Sequence, residues 1–122
     1  MSGLAWVGVG ACGAVGALAR VGIATAIAQR ARGPFPLGTL VVNLTGGFAL
    51  GVLVGAGVGH ELMFVLGTGL LGAYTTFSTW MFETGRLAQD DHRVLWVLYW
   101  IVPMLAGLAA TGVGWAIGAA LW

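Results

Sequence analysis

Between Leu70 and Thr84 the chain reads "LLGAYTTFSTWMFET", which gathers the hydroxyls of Thr75, Thr76, Ser78, Thr79 and Thr84 and the carboxylate of Glu83 into an otherwise apolar stretch. No nucleophile, base and orienting group fall together anywhere in the sequence, so an enzyme is not expected. Hydroxyls do a different kind of chemistry well. They donate and accept hydrogen bonds, and can replace the water around an ion that has left solution. Two more polar groups sit in apolar surroundings, Asn43 between "LVV" and "LTGG", and Arg20 with "VGIATAIAQ" still to follow. The Asn43 amide can make an interhelical hydrogen bond or donate to an anion. The Arg20 guanidinium can snorkel, or set the electrostatics of a water-filled path.

These groups need a scaffold, and composition says which kind. The chain has 122 residues, 59% of them hydrophobic and 7% charged, with a mean hydropathy of +0.96, which excludes a disordered or an ordinary soluble protein. An all-α integral membrane protein is expected, a single four-helix domain over residues 1–122. A spanning helix needs roughly 20 apolar residues, and the breaks leave four such stretches, at about 4–28, 37–58, 62–84 and 94–121. Ala17-Leu18-Ala19 resembles a cleavage site, but no basic residue precedes the apolar run, so the first stretch reads as a retained helix. Cys12 is the lone cysteine and cannot form an internal disulfide. His60 and His92 are expected in short solvated loops, Gly85 to Arg93 forming the last connection.

Five Arg against four acids give a net charge of +1 and no basic patch, so nucleic-acid binding is unsupported. The Arg residues are nonetheless lopsided: Arg30 and Arg32 follow the first span, and Arg86 and Arg93 follow the third. The positive-inside rule places those connections in the cytoplasm and both termini outside.

Small residues recur every fourth position: Gly8, Cys12 and Gly16 in the first span, Asn43, Gly47, Gly51, Gly55 and Gly59 in the second, and Ala106, Ala110, Gly114 and Gly118 in the fourth. Such stripes let helix backbones approach closely in lipid. Four close-packed helices leave little interior, so oligomerisation is expected, with any pathway at an interface. In the third span, Gly67, Gly69, Gly72 and Ala73 precede the β-branched Thr run, a combination that favours unwinding. A break near the middle is expected, of the kind tolerated where freed backbone lines a cavity and able to hold a cation such as Na⁺. A continuous helix whose hydroxyls bond back to the preceding turn is the open alternative.

The motifs "GTLVVNLTGG" at Gly38 to Gly47 and "GAYTTFST" at Gly72 to Thr79, with "GALAR" at Gly16 to Arg20, resemble the bacterial fluoride channels, the Fluc or CrcB family, and the resemblance runs over essentially the whole chain. It implies a passive fluoride-selective channel of the bacterial plasma membrane that relieves fluoride toxicity. It further implies an antiparallel dimer with two pathways and one structural Na⁺ at the centre, held by the backbone carbonyls of Gly72 and Thr75 from each subunit. Asn43 would be the pore amide and Phe77 the first aromatic of the family's Phe box. Thr39, Ser78, Thr79, Glu83 and Tyr99 would line the polar track, with Arg20 as a buried charge. Fluoride is small and strongly hydrated, and a ring presented by its positive edge can meet it without a cation that would trap it.

The chain departs from this pattern in three respects. Trp80 stands where the second Phe of the box is expected, and Pro103 and Gly107 follow Tyr99 where hydroxyls are usual. The Arg bias is the third, since a homodimer of opposed subunits must insert both ways. These departures suggest a subunit of a heterodimeric pair whose partner has the opposite topology, with a self-sufficient homodimer as the alternative. A small multidrug-type exporter wants a carboxylate in the first span, where this chain has only Arg20. A non-conducting assembly subunit would explain the glycines, but not Arg20, Asn43 and the hydroxyls together.

Overall fold

Ser2 begins the first helix by accepting the Ala5 N–H at 3.1 Å, while its own N–H and hydroxyl donate to Glu61 Oε1 at 3.0 and 2.7 Å. The N-terminus is thereby tied to the start of the third span. The computed structural model describes residues 1–121, and every regular element among them is helical. Helix α1 is Gly3–Arg30, α2 is Leu37–Gly55, and α6 is Arg93–Leu121. The third span is composite: α3 (His60–Met63), a π-helical segment (Phe64–Leu71), α4 (Gly72–Tyr74), a non-helical interruption at residues 75–77, and α5 (Ser78–Gln89). Four helical stretches, counting His60–Gln89 as one, are long and apolar enough to cross a membrane. Leu4, Leu18, Val94 and Leu108 expose 70% or more of their surface, as lipid-facing side chains do. The chain is a multi-pass membrane protein.

The expected break is present, and the boundaries differ in instructive ways. Helix α2 stops at Gly55, not Val58, because Gly57 turns the chain with φ of +65°. Gly59 therefore leaves the glycine stripe and caps α3, and His60 is the first helical residue rather than a loop residue. The third span runs on to Gln89, because Leu87, only 3% exposed, anchors its last turn. Arg86 is thus helical, and the connection shrinks to residues 90–92, closed by Asp91 at φ +62°.

The glycine stripes pack as helix pairs. A Cβ at Gly51 or Gly55 would collide with the carbonyl oxygens of Thr111 and Trp115, and one at Gly114 or Gly118 with those of Phe48 and Val52. Helices α2 and α6 therefore interlock backbone to backbone. On α1, Gly16 lies against the Leu70 carbonyl, and a Cβ at Gly69 of the π segment would come within 3.0 Å of Val9 Cα. These two contacts hold the widened π segment, whose Gly72 N–H reaches back five residues to the Gly67 carbonyl. Near the Arg-bearing end, Tyr99, Leu40 and Leu87 form a small core with Phe35 and Trp80 against it.

Candidate ion pathway

Helix α4 ends because Thr75 uses both its N–H and its hydroxyl on one carbonyl, that of Leu71, at 3.0 Å each, and then turns extended with ψ of 158°. The next N–H, that of Thr76, does not continue the helix. It donates to Asn43 Oδ1 at 2.8 Å, while Asn43 Nδ2 donates to the Thr76 carbonyl at 2.9 Å. The amide side chain of α2 thus satisfies both backbone polar groups of a residue that the break would leave unpaired inside a membrane, where the cost is several kcal/mol per group, on the order of 2–7. Thr76 Oγ1 then accepts the Thr79 N–H at 3.2 Å, which begins α5.

The hydroxyl cluster therefore divides by role. Thr75 and Thr76 terminate and restart helix, and Thr84 bonds back to the Trp80 carbonyl at 2.7 Å, one turn earlier. Ser78 and Thr79 are exposed. The hydroxyl of Ser78 makes only a long 3.5 Å contact, to Thr76 Oγ1. Among the described residues, the carbonyl oxygens of Gly72 and Thr75 accept no hydrogen bond.

Two of three neighbouring cavities are lined by residues of this break. The largest, about 570 Å³, opens at the Arg-bearing end among Thr39, Thr79, Glu83, Arg86 and Asp90. The next, about 230 Å³, is lined by Arg20, Thr25, Thr39, Thr76 and Thr79, with no acid on its wall. The third, about 330 Å³, lies among Asn43, Gly46, Gly72, Thr75, Thr76, Phe77 and Trp80. Thr39 and Thr79 belong to the first two, and Thr76 to the last two. The three lie in series between the Arg-bearing end and the interrupted helix, and neighbouring cavities share hydroxyl-bearing wall residues.

The structure brings Asn43, Thr39, Thr79, Glu83, Phe77 and Trp80 onto these walls, with Arg20 and the backbone of Gly72 and Thr75. Arg20 is half-buried rather than buried, because the wall opposite it within one chain consists of small side chains. Tyr99 stands behind the track. It is 0% exposed, and its hydroxyl donates toward Glu83 Oε1 at 3.2 Å and the Pro36 carbonyl at 3.3 Å. Phe77, 68% exposed, meets Trp80 edge to face with ring centroids 5.7 Å apart. Sequence reasoning did not give Thr76 its place as the partner of Asn43, nor find the π segment. The spacing of Gly67 and Gly69 was its one signal.

With this geometry in view, the comparisons with known proteins are specific. The profile of the family described as "CrcB-like protein, Camphor Resistance (CrcB)" matches residues 7–115. A relative named Fluoride-specific ion channel FluC 2 from Mycolicibacterium paratuberculosis is 46% identical over 109 residues, covering 89% of each chain. One of the same name from Moorella thermoacetica is 39% identical over 122 residues, covering 98% of this chain and 100% of the relative. Fluoride-specific ion channel FluC 1 from Leifsonia xyli is 39% identical, covering 97% of this chain and 89% of its own length.

Proposed function

The chain belongs to the CrcB-like family, and we propose that it is a passive fluoride channel whose anion path follows the three linked cavities. The observation that carries this reading is the run of hydroxyl-bearing residues shared from cavity to cavity, Thr39 and Thr79 and then Thr76, which ends at Asn43 and Phe77. Each supplies a donor or a positive ring edge in place of water, and none is a full charge that would hold fluoride fast. Arg20 raises the potential of the middle cavity from its wall. Glu83, held by Tyr99, sits at the wide mouth, where solvent screens it. Fluoride efflux from liposomes containing the purified chain, alone and together with a paralogous subunit, followed with a fluoride electrode and with chloride as control, tests the reading. Fast, fluoride-selective efflux is expected, and equal rates for the two halides would refute it.

The open carbonyls of Gly72 and Thr75 support two further parts of the proposal. Exposed to lipid they would be untenable, so an antiparallel second subunit covers the break, and the Gly72 and Thr75 carbonyls of the two subunits would hold a structural Na⁺. The donor set suits such an ion. Among the described residues no cluster of His, Cys, Asp and Glu could hold a metal, whereas backbone oxygens suit a hard monovalent cation. When bound, Na⁺ supplies positive charge and ties the interrupted helices together. Phe77, so exposed in the single chain, would be covered by the same partner.

In the bacterial plasma membrane the two connections flanked by Arg face the cytoplasm and the termini lie outside. Ala31 and Gly33 share the largest cavity with Arg86 and Asp90, so both connections lie at one end. This bias favours a heterodimer with a paralogous subunit of opposite topology over a homodimer. Tags at the termini that report equal inward and outward populations would overturn the heterodimer and leave the homodimer standing.

A further inference from the structure

Pro103 lies inside α6. Having no N–H, it leaves the carbonyl of Tyr99, four residues earlier, without its helical donor. That residue is 0% exposed, so water cannot make up the loss. The missing donor comes from the third span: Trp80 Nε1 donates to the Tyr99 carbonyl at 2.7 Å. The same indole meets Phe77 edge to face at an interplanar angle of 88° and leans on Trp100 at 6.0 Å. One hydrogen bond therefore connects a proline in α6 to the ring at the helix break. The indole N–H is committed to a carbonyl and is not free to meet an anion.

We propose that Trp80 is a positioning residue, pinned by the carbonyl that Pro103 frees, and that the pin sets the angle at which Phe77 presents its edge to the groove. Trp80 and Pro103 then form a matched pair, rather than two separate losses from the polar track. An ordinary helical residue at 103 would compete for the carbonyl and release the indole. A phenylalanine at 80 would leave the carbonyl unpaired. The proposal rests on the fluoride-channel reading given above.

The test is a double-mutant cycle on the full chain, with Trp80→Phe, Pro103→Ala and the two combined, read by fluoride efflux from liposomes and by thermal unfolding. Breaking the pin once is expected to slow efflux about tenfold, the value of one buried hydrogen bond. Pro103→Ala should do so without lowering the melting temperature, because it also removes a helix-interior proline. A role confined to stability would not give that combination. The double variant should be no slower than Trp80→Phe and should regain melting temperature over it, since the restored N–H now satisfies Tyr99.

Efflux losses that multiply toward about a hundredfold in the double variant, as independent sites do, would overturn the pairing. So would a Pro103→Ala channel as fast as the unsubstituted one, and this single variant suffices should Trp80→Phe not fold. If the unsubstituted chain conducts no fluoride either alone or together with a paralogous subunit of opposite topology, the channel reading itself fails. The pairing is then decided by whether Pro103→Ala raises the melting temperature more in the Trp80→Phe background than in the unsubstituted chain, and equal effects sink it.

Discussion

Asn43→Asp changes almost no volume and removes one hydrogen bond, setting two acceptors face to face. As the side chain stands, Nδ2 donates to the Thr76 carbonyl at 2.9 Å and Oδ1 accepts the Thr76 N–H at 2.8 Å. An ionised carboxylate keeps the acceptor and turns the donor into a second acceptor facing that carbonyl. Thr76 is only 8% exposed, so the orphaned carbonyl costs about 1–3 kcal/mol of stability. The effect on conduction is larger. An anion passing at about 4 Å from the carboxylate meets about 4 kcal/mol of repulsion at an effective dielectric of about 20. At about 1.4 kcal/mol per factor of ten, fluoride efflux should fall by about a thousandfold at neutral pH. In acid the trend reverses, because a protonated carboxyl offers one O–H and one C=O, as the amide does, and carries no charge. Efflux of the variant should therefore rise toward that of the unsubstituted channel as pH falls. Protein-free liposomes supply the baseline for hydrofluoric acid that crosses the bilayer unaided. A variant that conducts normally at neutral pH would refute both the clamp and the passage of the anion beside it. A folded variant that stays closed in acid would refute the charge argument.

Thr79→Val and Thr84→Val make a matched pair of methyl-for-hydroxyl changes. The first removes a hydroxyl from the wall common to the two cavities nearest the Arg-bearing end and should slow efflux about tenfold, one hydrogen bond to the dehydrating ion. The second removes a hydroxyl that serves only the Trp80 carbonyl, and should leave efflux within about twofold, the ordinary latitude of a change away from the path. Gly114→Leu would drive a side chain into the Phe48 carbonyl. It should part α2 from α6, leaving little folded protein by size-exclusion chromatography, whereas Gly112→Leu, at a position with open space around its Cα, should purify normally.

Much of this was legible in the sequence, for physical reasons that differ from feature to feature. The spans follow from length and apolarity. The glycine stripes follow from the four-residue period, because only a backbone contact requires so many small residues on one face, and Gly51, Gly55, Gly114 and Gly118 make such contacts. The break was foreshadowed by Gly72 and the Thr run, though not its mechanism. That Asn43 would clamp Thr76 depends on α2 lying beside the third span at one register, which no local pattern encodes. The end of the third span was placed too early, because Gly85 reads as a stop, while the burial of Leu87 carries the helix past it. Pro103 standing four residues after Tyr99 was visible from the start, but its meaning lay in Trp80, nineteen residues before Tyr99 in the chain.

A channel for a strongly hydrated anion needs attraction without a trap, and the interrupted helix supplies it from fixed dipoles. At residues 75–77 the C-terminal end of α4 presents free carbonyls and the N-terminal end of α5 presents N–H groups. Opposite partial charges, about half a unit for a long helix and smaller for so short a one as α4, thus lie a few residues apart. A cation on the carbonyls and an anion near the N–H end would each stabilise the other. The arrangement holds only if the break is held open, and three contacts do this from a rigid base. Asn43 grips the Thr76 backbone N–H and C=O, Thr75 fits against Gly46 where a Cβ would collide with its methyl, and Trp80 is pinned to α6. Two of these contacts come from α2 and one from α6, the pair whose glycines interlock. The close packing that makes α2 and α6 a single unit therefore fixes the geometry of the pathway. Cavity-forming changes distant from the break but on that interface should alter halide selectivity before they alter folding.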